Sequence, residues 1–315
     1  MGNIKVGICF SKELQGSSPL SHIIGKLPVY IRLLEFMKEE GWEVYVLTRK
    51  VYKGNGIFEG GWLYDAGIFS LVKDTLKIDL VYDRTGGIKF PVEGDSLRVI
   101  NEHDFKVLAW DKWATSKVIG EYMPKTIDIE SKKDLPGVLA KIKTDWVVLK
   151  PFNGLKGIGI YIGPKDKALE FEFDEKYSHY VAQEFVDTSN GIAGITSGKH
   201  DLRIVVVNGT PVWCHVRVPV GGSFLANAAQ GGNLTEVEYN NVPGSIKEVV
   251  KKVSTIFSSN YDNPIYSLDF GVDKDGTPYI FEINDQMGFP KWEMEKRDVF
   301  LRALITNFKS KLAMK

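Results

Sequence analysis

The run Trp146-Val-Val-Leu-Lys150-Pro-Phe-Asn-Gly154-Leu-Lys156-Gly157-Ile-Gly159-Ile-Tyr-Ile162 reads as a strand that carries a lysine into a glycine-rich turn and then resumes as a second strand. Bare glycines let backbone N–H groups approach an anion closely, and lysines supply the compensating charge. This is the outline of a phosphate cradle. It is not a P-loop, because G-x-x-x-x-G-K-[ST] is absent and the loop returns into a strand instead of opening a helix. Taken alone, the segment fits an ordinary glycine-bearing hairpin equally well. Downstream, Glu282 and Asn284 alternate along a strand, so both point to one face while Phe281 and Ile283 point to the other. Asp269 sits on the preceding strand of the same hairpin. Two carboxylates and an amide oxygen match the oxygen preference of Mg²⁺, which completes its shell with water and phosphate oxygens. A solvated hairpin face would also place an acid or amide at every second position. The combination with the lysine–glycine loop favours a magnesium–nucleotide site.

These residues need a scaffold. Ile4 to Phe10 is an apolar, β-branched run suited to a buried strand, followed by a polar stretch from Ser11 to Ser21. Pro28 to Glu40 has helical spacing, with Gly41 as its stop, and Glu43 to Thr48 reads as the next strand. This β-loop-α-β opening predicts a Rossmann-like first domain with a right-handed crossover. Leu80 to Asp83 is a further strand ending in Arg84-Thr-Gly-Gly87. Open α/β sheets bind ligands beyond the carboxyl ends of their strands, so residues 11–21 and 84–87 are either substrate loops or solvated connections. A helix is expected from Asp111 to about Glu121, a strand over Tyr180 to Val186, and a mobile loop over Asp187 to Lys199. Asn208-Gly209 between two apolar runs signals a type I′ hairpin. Gly221 to Gly232 reads as a small-residue loop, Ile246 to Phe257 as an amphipathic helix, and Asp273-Lys-Asp-Gly276 as the turn of a second hairpin. A final helix begins near Arg297.

The 315 residues can bury a large core, and the apolar and charged fractions are those of a globular protein. Forty basic residues balance forty acidic ones, which gives no support for nucleic-acid or anionic-membrane binding. Cys9 and Cys214 lie far apart in apolar runs and are expected to be buried thiols. The N-terminus lacks the apolar core of a signal peptide, and Val6 stands where a myristoylation motif wants Ser or Thr. No apolar run approaches a membrane span. A cytoplasmic location is the expectation.

The order of pieces carries a resemblance. Asp111-Lys112 opens a helix; then come Lys150 to Gly159, the strand end Gln183-Glu184-Phe185-Val186, Asp201-Leu-Arg203, Arg217-Val-Pro, Asn227 with Gly231-Gly232, and Glu282-Ile-Asn284. The chain resembles the ATP-grasp ligases. It is most similar to the branch of bacterial glutathione synthetase and the ribosomal-protein glutamate ligases, and resembles the spore-coat-associated YheC/YheD-type proteins over Asn101 to Trp113. The resemblance covers about residues 100 to 290. It implies an α/β fold, α+β in the ligase lobes, with a Rossmann-like pre-ATP-grasp domain over 1–108. It further implies an N-terminal ATP-grasp lobe over 109–186 and a C-terminal lobe with the magnesium site over 187–315. By the same resemblance, Lys112 and Lys150 contact nucleotide phosphates, and the loop of Gly154, Gly157 and Gly159 folds over them. The strand end from Gln183 presents the main chain of Glu184 and Val186 to adenine, with Asp187 toward the ribose. Arg203 and Arg217 neutralise the γ-phosphate and an acyl-phosphate, and Asp269, Glu282 and Asn284 hold Mg²⁺, or Mn²⁺ in its place.

The implied activity is carboxylate–amine ligation. ATP converts a carboxylate to an acyl-phosphate, an amine displaces phosphate, and ADP is released, a reaction that depends on cations and water exclusion. No nucleophilic side chain is needed, and His22, His103, His179, His200 and His215 read as structural or surface histidines. The implied partners are a small-molecule or peptide carboxylate and an amine, with no nucleic acid and no membrane; a homo-oligomer stays open. A small-molecule kinase of the same fold, or a nucleotide-binding regulatory or coat-associated protein, are the alternatives. Two departures bear on substrate. Ser223-Phe224-Leu225-Ala226 replaces a basic residue ahead of the Asn-rich loop, and Asp285 to Pro290 replaces a small, hydroxyl-rich segment, so glutathione synthesis itself is not implied.

Overall fold

The computed structural model describes residues 3–12, 19–86, 94–154, 157–219 and 233–314. Lys156, the 221–232 loop with Asn227, Gly231 and Gly232, and parts of the 11–21 and 84–87 loops lie outside the described residues.

The first sheet is built by β1 (Lys5–Phe10), α1 (Leu27–Glu39), β2 (Glu43–Thr48), β3 (Tyr52–Gly54), β4 (Ile57–Asp65), β5 (Ile68–Lys77), β6 (Leu80–Arg84) and β7 (Arg98–Ile100). β1 pairs in parallel with both β2 and β6, and β6 in parallel with β7, so the expected α/β opening is present. α1 has a proline in its first turn, buries Val29, Tyr30, Leu33, Leu34, Phe36 and Met37, and is followed by Gly41 at φ 79°. The antiparallel β3–β4–β5 extension on the β2 side was not legible in the sequence. β5 is largely solvent-exposed, with Ile68 and Leu71 facing water, so it lacks the apolar alternation that marks a half-buried strand.

Two short helices, α2 (His103–Trp110) and α3 (Lys112–Ile119), lead to the second sheet. That sheet comprises β8 (Thr126–Ile129), β9 (Trp146–Pro151), β10 (Tyr161–Pro164) and β11 (Tyr180–Glu184), in the order β10-β9-β11-β8, with α4 (Leu135–Leu139) and α5 (Lys165–Ala168) in its connections. β9 and β10 are antiparallel, as the glycine-loop reading requires.

The third sheet holds β12 (Asp201–Val207), β13 (Thr210–Val218), β14 (Asn233–Glu236), β15 (Ile265–Val272) and β16 (Pro278–Asn284), with α6 (Gly244–Asn260) between β14 and β15 and α7 (Arg297–Ala313) closing the chain. Asn208 at φ 45° and Gly209 at φ 77° make the turn between β12 and β13, as a type I′ hairpin demands. One sheet face is apolar: Leu202, Ile204, Val206, Cys214, Val216, Leu268, Phe270 and Ile283 pack with α6 residues Ile246, Val250, Val253 and Phe257. The opposite face carries Val205, Val207, Trp213 and Ile265 into a core shared with β1, β2, β6, α1 and α7. Asn101 stitches the same junction. Its side-chain amide donates to Ile265 O (2.6 Å) and its carbonyl accepts from Ile265 N (2.7 Å), imitating a strand neighbour.

Two bulges decide which residues share a face. Counting back from the Asn208-Gly209 turn, an uninterrupted hairpin would pair odd residues of β12 with even residues of β13. That would separate Arg203 from Arg217. A register shift between Val205 and Val206 instead sets Arg203 against His215 and Asp201 against Arg217. A second shift, between Asp269 and Phe270, sets Asp269 against Glu282 and Ser267 against Asn284. Because side chains alternate with period two, each shift carries a set of residues from one sheet face to the other. Together they gather Asp201, Arg203, His215, Arg217, Asp269, Glu282 and Asn284 on one face.

Candidate functional site

This polar face of the third sheet looks across to the second. Lys150, near the end of β9, is buried and donates from Nζ to the Gln183 side chain (2.9 Å) and to the Phe281 carbonyl on β16 (3.1 Å). Gln183 is fixed in turn by Thr126 (2.9 Å). Burial, with the Lys112 charge adding and Glu282 opposing, pushes the Lys150 ammonium down to about 7. Lys112 sits at the start of α3, whose capping residue Asp111 accepts from the Trp113 and Ala114 amides. Its Nζ bridges the Gly154 carbonyl (3.0 Å) and Glu282 Oε1 (3.1 Å). The glycine loop, the head of α3 and the β16 acid therefore meet at one ammonium. Gly157 (φ 74°) and Gly159 (φ 73°) both occupy the left-handed region.

Beside them lies an arginine–aspartate knot. Arg203 donates from Nε and Nη2 to the two oxygens of Asp269 (2.6 and 2.5 Å). Arg217 reaches Asp269 Oδ2 (2.8 Å) and Asp201. Burial raises the Asp269 pKa, but the two guanidiniums outweigh it and hold the carboxyl well below the usual range. Asp201 is pushed up to about 7 by burial and by the Asp269 charge, against the two arginines. Asn284 lies 3.4 Å from Asp269 Oδ2. His215 is buried in contact with the Trp213 ring, and burial together with the charges of Arg203 and Arg217 pushes it down to about 3, so it stays neutral. His200 is a structural clasp: Nε2 accepts from the Val272 amide (3.1 Å) while Nδ1 faces the Gly198 carbonyl (3.0 Å).

Where β11 ends, the Glu184 N–H is taken by the Lys125 carbonyl (2.9 Å), while nothing among the described residues accepts from the Val186 N–H. Asp187 is exposed and caps the Ser189 amide (3.0 Å). Residues 187–199 are irregular, pinned by a bridge between Ile192 and Thr196. Sequence alternation places Phe281 on the face opposite Glu282, and this is corrected by the bulge. A Cβ added to Gly271, which lies on the Asp269 face, would fall inside the Phe281 ring. Phe281 therefore turns toward the polar face and walls it near Thr188. The structure also adds Gln183 as the side-chain partner of Lys150 and Asp201 as a partner of Arg217, pairings that depend on strand register and leave no local signature.

The metal-type donors are Asp269, Glu282 and the Asn284 amide; among the described residues no group of three or more His, Cys, Asp or Glu is arranged to hold a metal ion. A pair of carboxylates with an amide suits Mg²⁺, which needs few protein ligands when phosphates supply the rest.

Residues 111–259 match the family model of the prokaryotic glutathione synthetase ATP-grasp domain. The whole chain superposes on D-alanyl-alanine synthetase A from Vibrio cholerae with a TM-score of 0.67 at 15% identity, covering 100% of both chains. The chain has the ATP-grasp fold. A D-alanine–D-alanine ligase from Bacillus anthracis, determined in complex with ATP, aligns with a TM-score of 0.64 at 16% identity over 98% of this chain and 97% of that one. In sequence, this ATP-grasp chain is 29% identical to a glutathione synthetase of Prochlorococcus marinus over 170 residues, 52% of this chain and 51% of the relative. It is 25% identical to a probable alpha-L-glutamate ligase of Rhodopirellula baltica over 133 residues, 40% and 31% of the two lengths. The chain thus spans about half the length, or less, of the curated relatives it matches.

Proposed function

We propose that this ATP-grasp protein is an ATP-dependent carboxylate–amine ligase that forms an amide or peptide bond through an acyl-phosphate and releases ADP and phosphate. One observation carries the reading. Lys112, Arg203 and Arg217 pair with the acids Asp269 and Glu282, and Lys150 stands beside them held by neutral oxygens, across two facing sheets. Mg²⁺ and a polyphosphate have the complementary charges to separate these pairs, phosphate replacing the acids for the cations and metal replacing the cations for the acids.

In this reading Lys112 and Lys150 hold the nucleotide phosphates under the glycine loop. The Glu184 carbonyl and the unpaired Val186 N–H face the adenine edge beside Phe281, with Gln183 holding Lys150 and Asp187 toward the ribose. Asp269, Glu282 and Asn284 would hold Mg²⁺, or Mn²⁺, and the ion would supply charge neutralisation for the phosphates. Arg203 and Arg217, released from Asp269, steady the charge that develops on the transferring phosphoryl group and on the acyl-phosphate. The domain limits that fit this division of labour are 1–108, 109–186 and 187–315. The substrates are a small-molecule or peptide carboxylate and an amine, and the setting is the cytoplasm; among the described residues no helix is long and apolar enough to cross a membrane.

The test is a screen of amino acids and short peptides for ADP release, with mass spectrometry of the products. A ligase gives ADP only when carboxylate and amine are both present. ADP release that needs no amine would transfer the reading to a kinase.

A further inference from the structure

The proposed mechanism leaves unused a partly buried ion pair on the nucleotide side of the second sheet. Strand register sets Tyr180 against Pro151, and Val181 against both Lys150 and Asp128. The Phe152 amide donates to the His179 carbonyl (3.3 Å), which extends the β9–β11 ladder by one more pair. Side chains alternate along each strand, so Lys150, Phe152, His179 and Asp128, drawn from three neighbouring strands, share one face. The other face is the apolar one, where Val147, Leu149, Tyr180, Ala182 and Ile129 join a common core. Lys150 reaches the Phe281 carbonyl of β16 from the shared face, so that face looks toward the third sheet.

A stack runs across this face. The Phe152 ring lies on the His179 imidazole, with centres 3.9 Å apart and planes 18° from parallel. His179 Nε2 stands 3.5 Å from Asp128 Oδ1, and Nδ1 stands 3.1 Å from the Ser178 hydroxyl. Asp128 Oδ1 is buried and has no hydrogen-bond partner among the described residues. Burial raises the Asp128 pKa; the His179 charge is the first effect opposing it, followed by the Ile129 amide, while Glu130 and Asp111 add to the rise. The backbone of Phe152 is tied to the phosphate-binding parts. Its carbonyl accepts from the Lys112 amide at the head of α3 (3.0 Å), and two residues on, the Gly154 carbonyl accepts from Lys112 Nζ (3.0 Å). Phe152 thus has its ring set by His179 and its carbonyl set on the helix that carries Lys112.

We propose that His179 is a positioning residue for the phosphate site. Held by Asp128 and Ser178, its ring seats Phe152, and Phe152 aligns Lys112 with the Gly154 end of the glycine loop. The effect falls on the phosphates of a nucleotide and not on its base, because the adenine edge at Glu184 and Val186 lies at the opposite end of β11. The assignment of Lys112 to phosphates rests on the ATP-binding reading; the stack rests on ring and strand geometry alone.

ATP and AMP are titrated calorimetrically into the full chain as wild type, His179→Ala, Asp128→Asn and the double variant His179→Phe/Asp128→Asn. The double variant keeps a ring on Phe152 and removes both charges of the pair. Exchange of the Lys112 amide, followed by NMR without nucleotide, reports its bond to Phe152, and exchange across β15 reports the fold. His179→Ala is expected to weaken ATP roughly three- to tenfold, the range of an aromatic pair, with AMP nearly unchanged and the Lys112 amide exchanging faster. Asp128→Asn lies on another strand and should shift ATP in the same direction, so it decides the matter if His179→Ala does not fold. The double variant should return both readings to near wild type. Unchanged ATP affinity in both single variants, equal losses for ATP and AMP, or a double variant as weak as His179→Ala overturns the proposal. If the Lys112 amide responds as expected while none of the proteins binds ATP, the stack stands as a loop support and the ATP reading falls. An amide that ignores His179 sinks the stack whether or not ATP binds.

Discussion

Lys150 is the residue whose environment makes the sharpest demand. Its ammonium is buried, hydrogen-bonded to neutral oxygens and pushed down to about 7. In the unfolded chain it titrates at its ordinary, higher value. The unfolded state therefore binds more protons between the two values. The resulting penalty on folding is complete below about pH 7 and fades as pH rises toward the unfolded value. Phosphates delivered beside Lys150 restore its charged form. ATP binding at pH 8 to 9 is thus expected to take up about one proton, read as a dependence of calorimetric enthalpy on buffer ionisation. Lys150→Met should abolish the uptake and weaken ATP by roughly ten- to a hundredfold, the weight of a charge-assisted contact. Proton-neutral binding in the wild type would return this lysine to a packing role. Glu282→Gln probes the other half of the site. It removes a charge with little change of shape, so turnover should fall steeply while the melting temperature of the ligand-free protein changes little; undiminished turnover would remove Glu282 from the metal site.

At the scale of elements, the two β-bulges do what individual residue types cannot. Without the shift at Val205/Val206 the arginines would lie on opposite faces of β12–β13, and without the one at Asp269/Phe270 Glu282 and Asn284 would face away from Asp269. The second bulge also turns Phe281 over Gly271. Gly271→Ala places a methyl group where the ring lies and should displace it, at a cost of about 1–3 kcal/mol typical of overpacking. We expect a loss of ATP affinity larger than the loss of stability suggests, measured by titration beside urea unfolding; unaltered affinity would show that Phe281 is no wall of the nucleotide site. The same bulges explain what was legible beforehand. Alternation located Glu282 and Asn284 on a common face, and Asn208-Gly209 located the hairpin, because both are local signals. The pairing of Asp201 with Arg217 and the orientation of Phe281 depend on where a register slips, and a slip leaves no fixed trace in composition. The β3–β5 extension was missed for a different reason, since its outer strand is solvated and carries no core pattern.

For the whole molecule, the site is held by a junction of sheets. Asn101 binds both backbone groups of Ile265, buried at the seam of the first and third sheets, two residues before Ser267 and four before Asp269. Asn101→Leu would leave a buried N–H and C=O unsatisfied, at about 1–3 kcal/mol for each group, and should lower the denaturant midpoint accordingly. A midpoint within experimental error of the wild type would show that water or rearrangement replaces the amide. The order of motifs from Lys112 to Asn284 made the ATP-grasp fold readable in the sequence, because each motif belongs to a strand end or loop with a fixed place in it. The central claim is that ATP activates a carboxylate by phosphorylating it. It is tested most directly by supplying the acyl donor that passes the ADP-release screen with ¹⁸O in its carboxylate. An acyl-phosphate route predicts that each turnover moves one labelled oxygen into the released phosphate, seen by mass spectrometry beside the amide product. Phosphate released without label, in step with ADP and product, would contradict it.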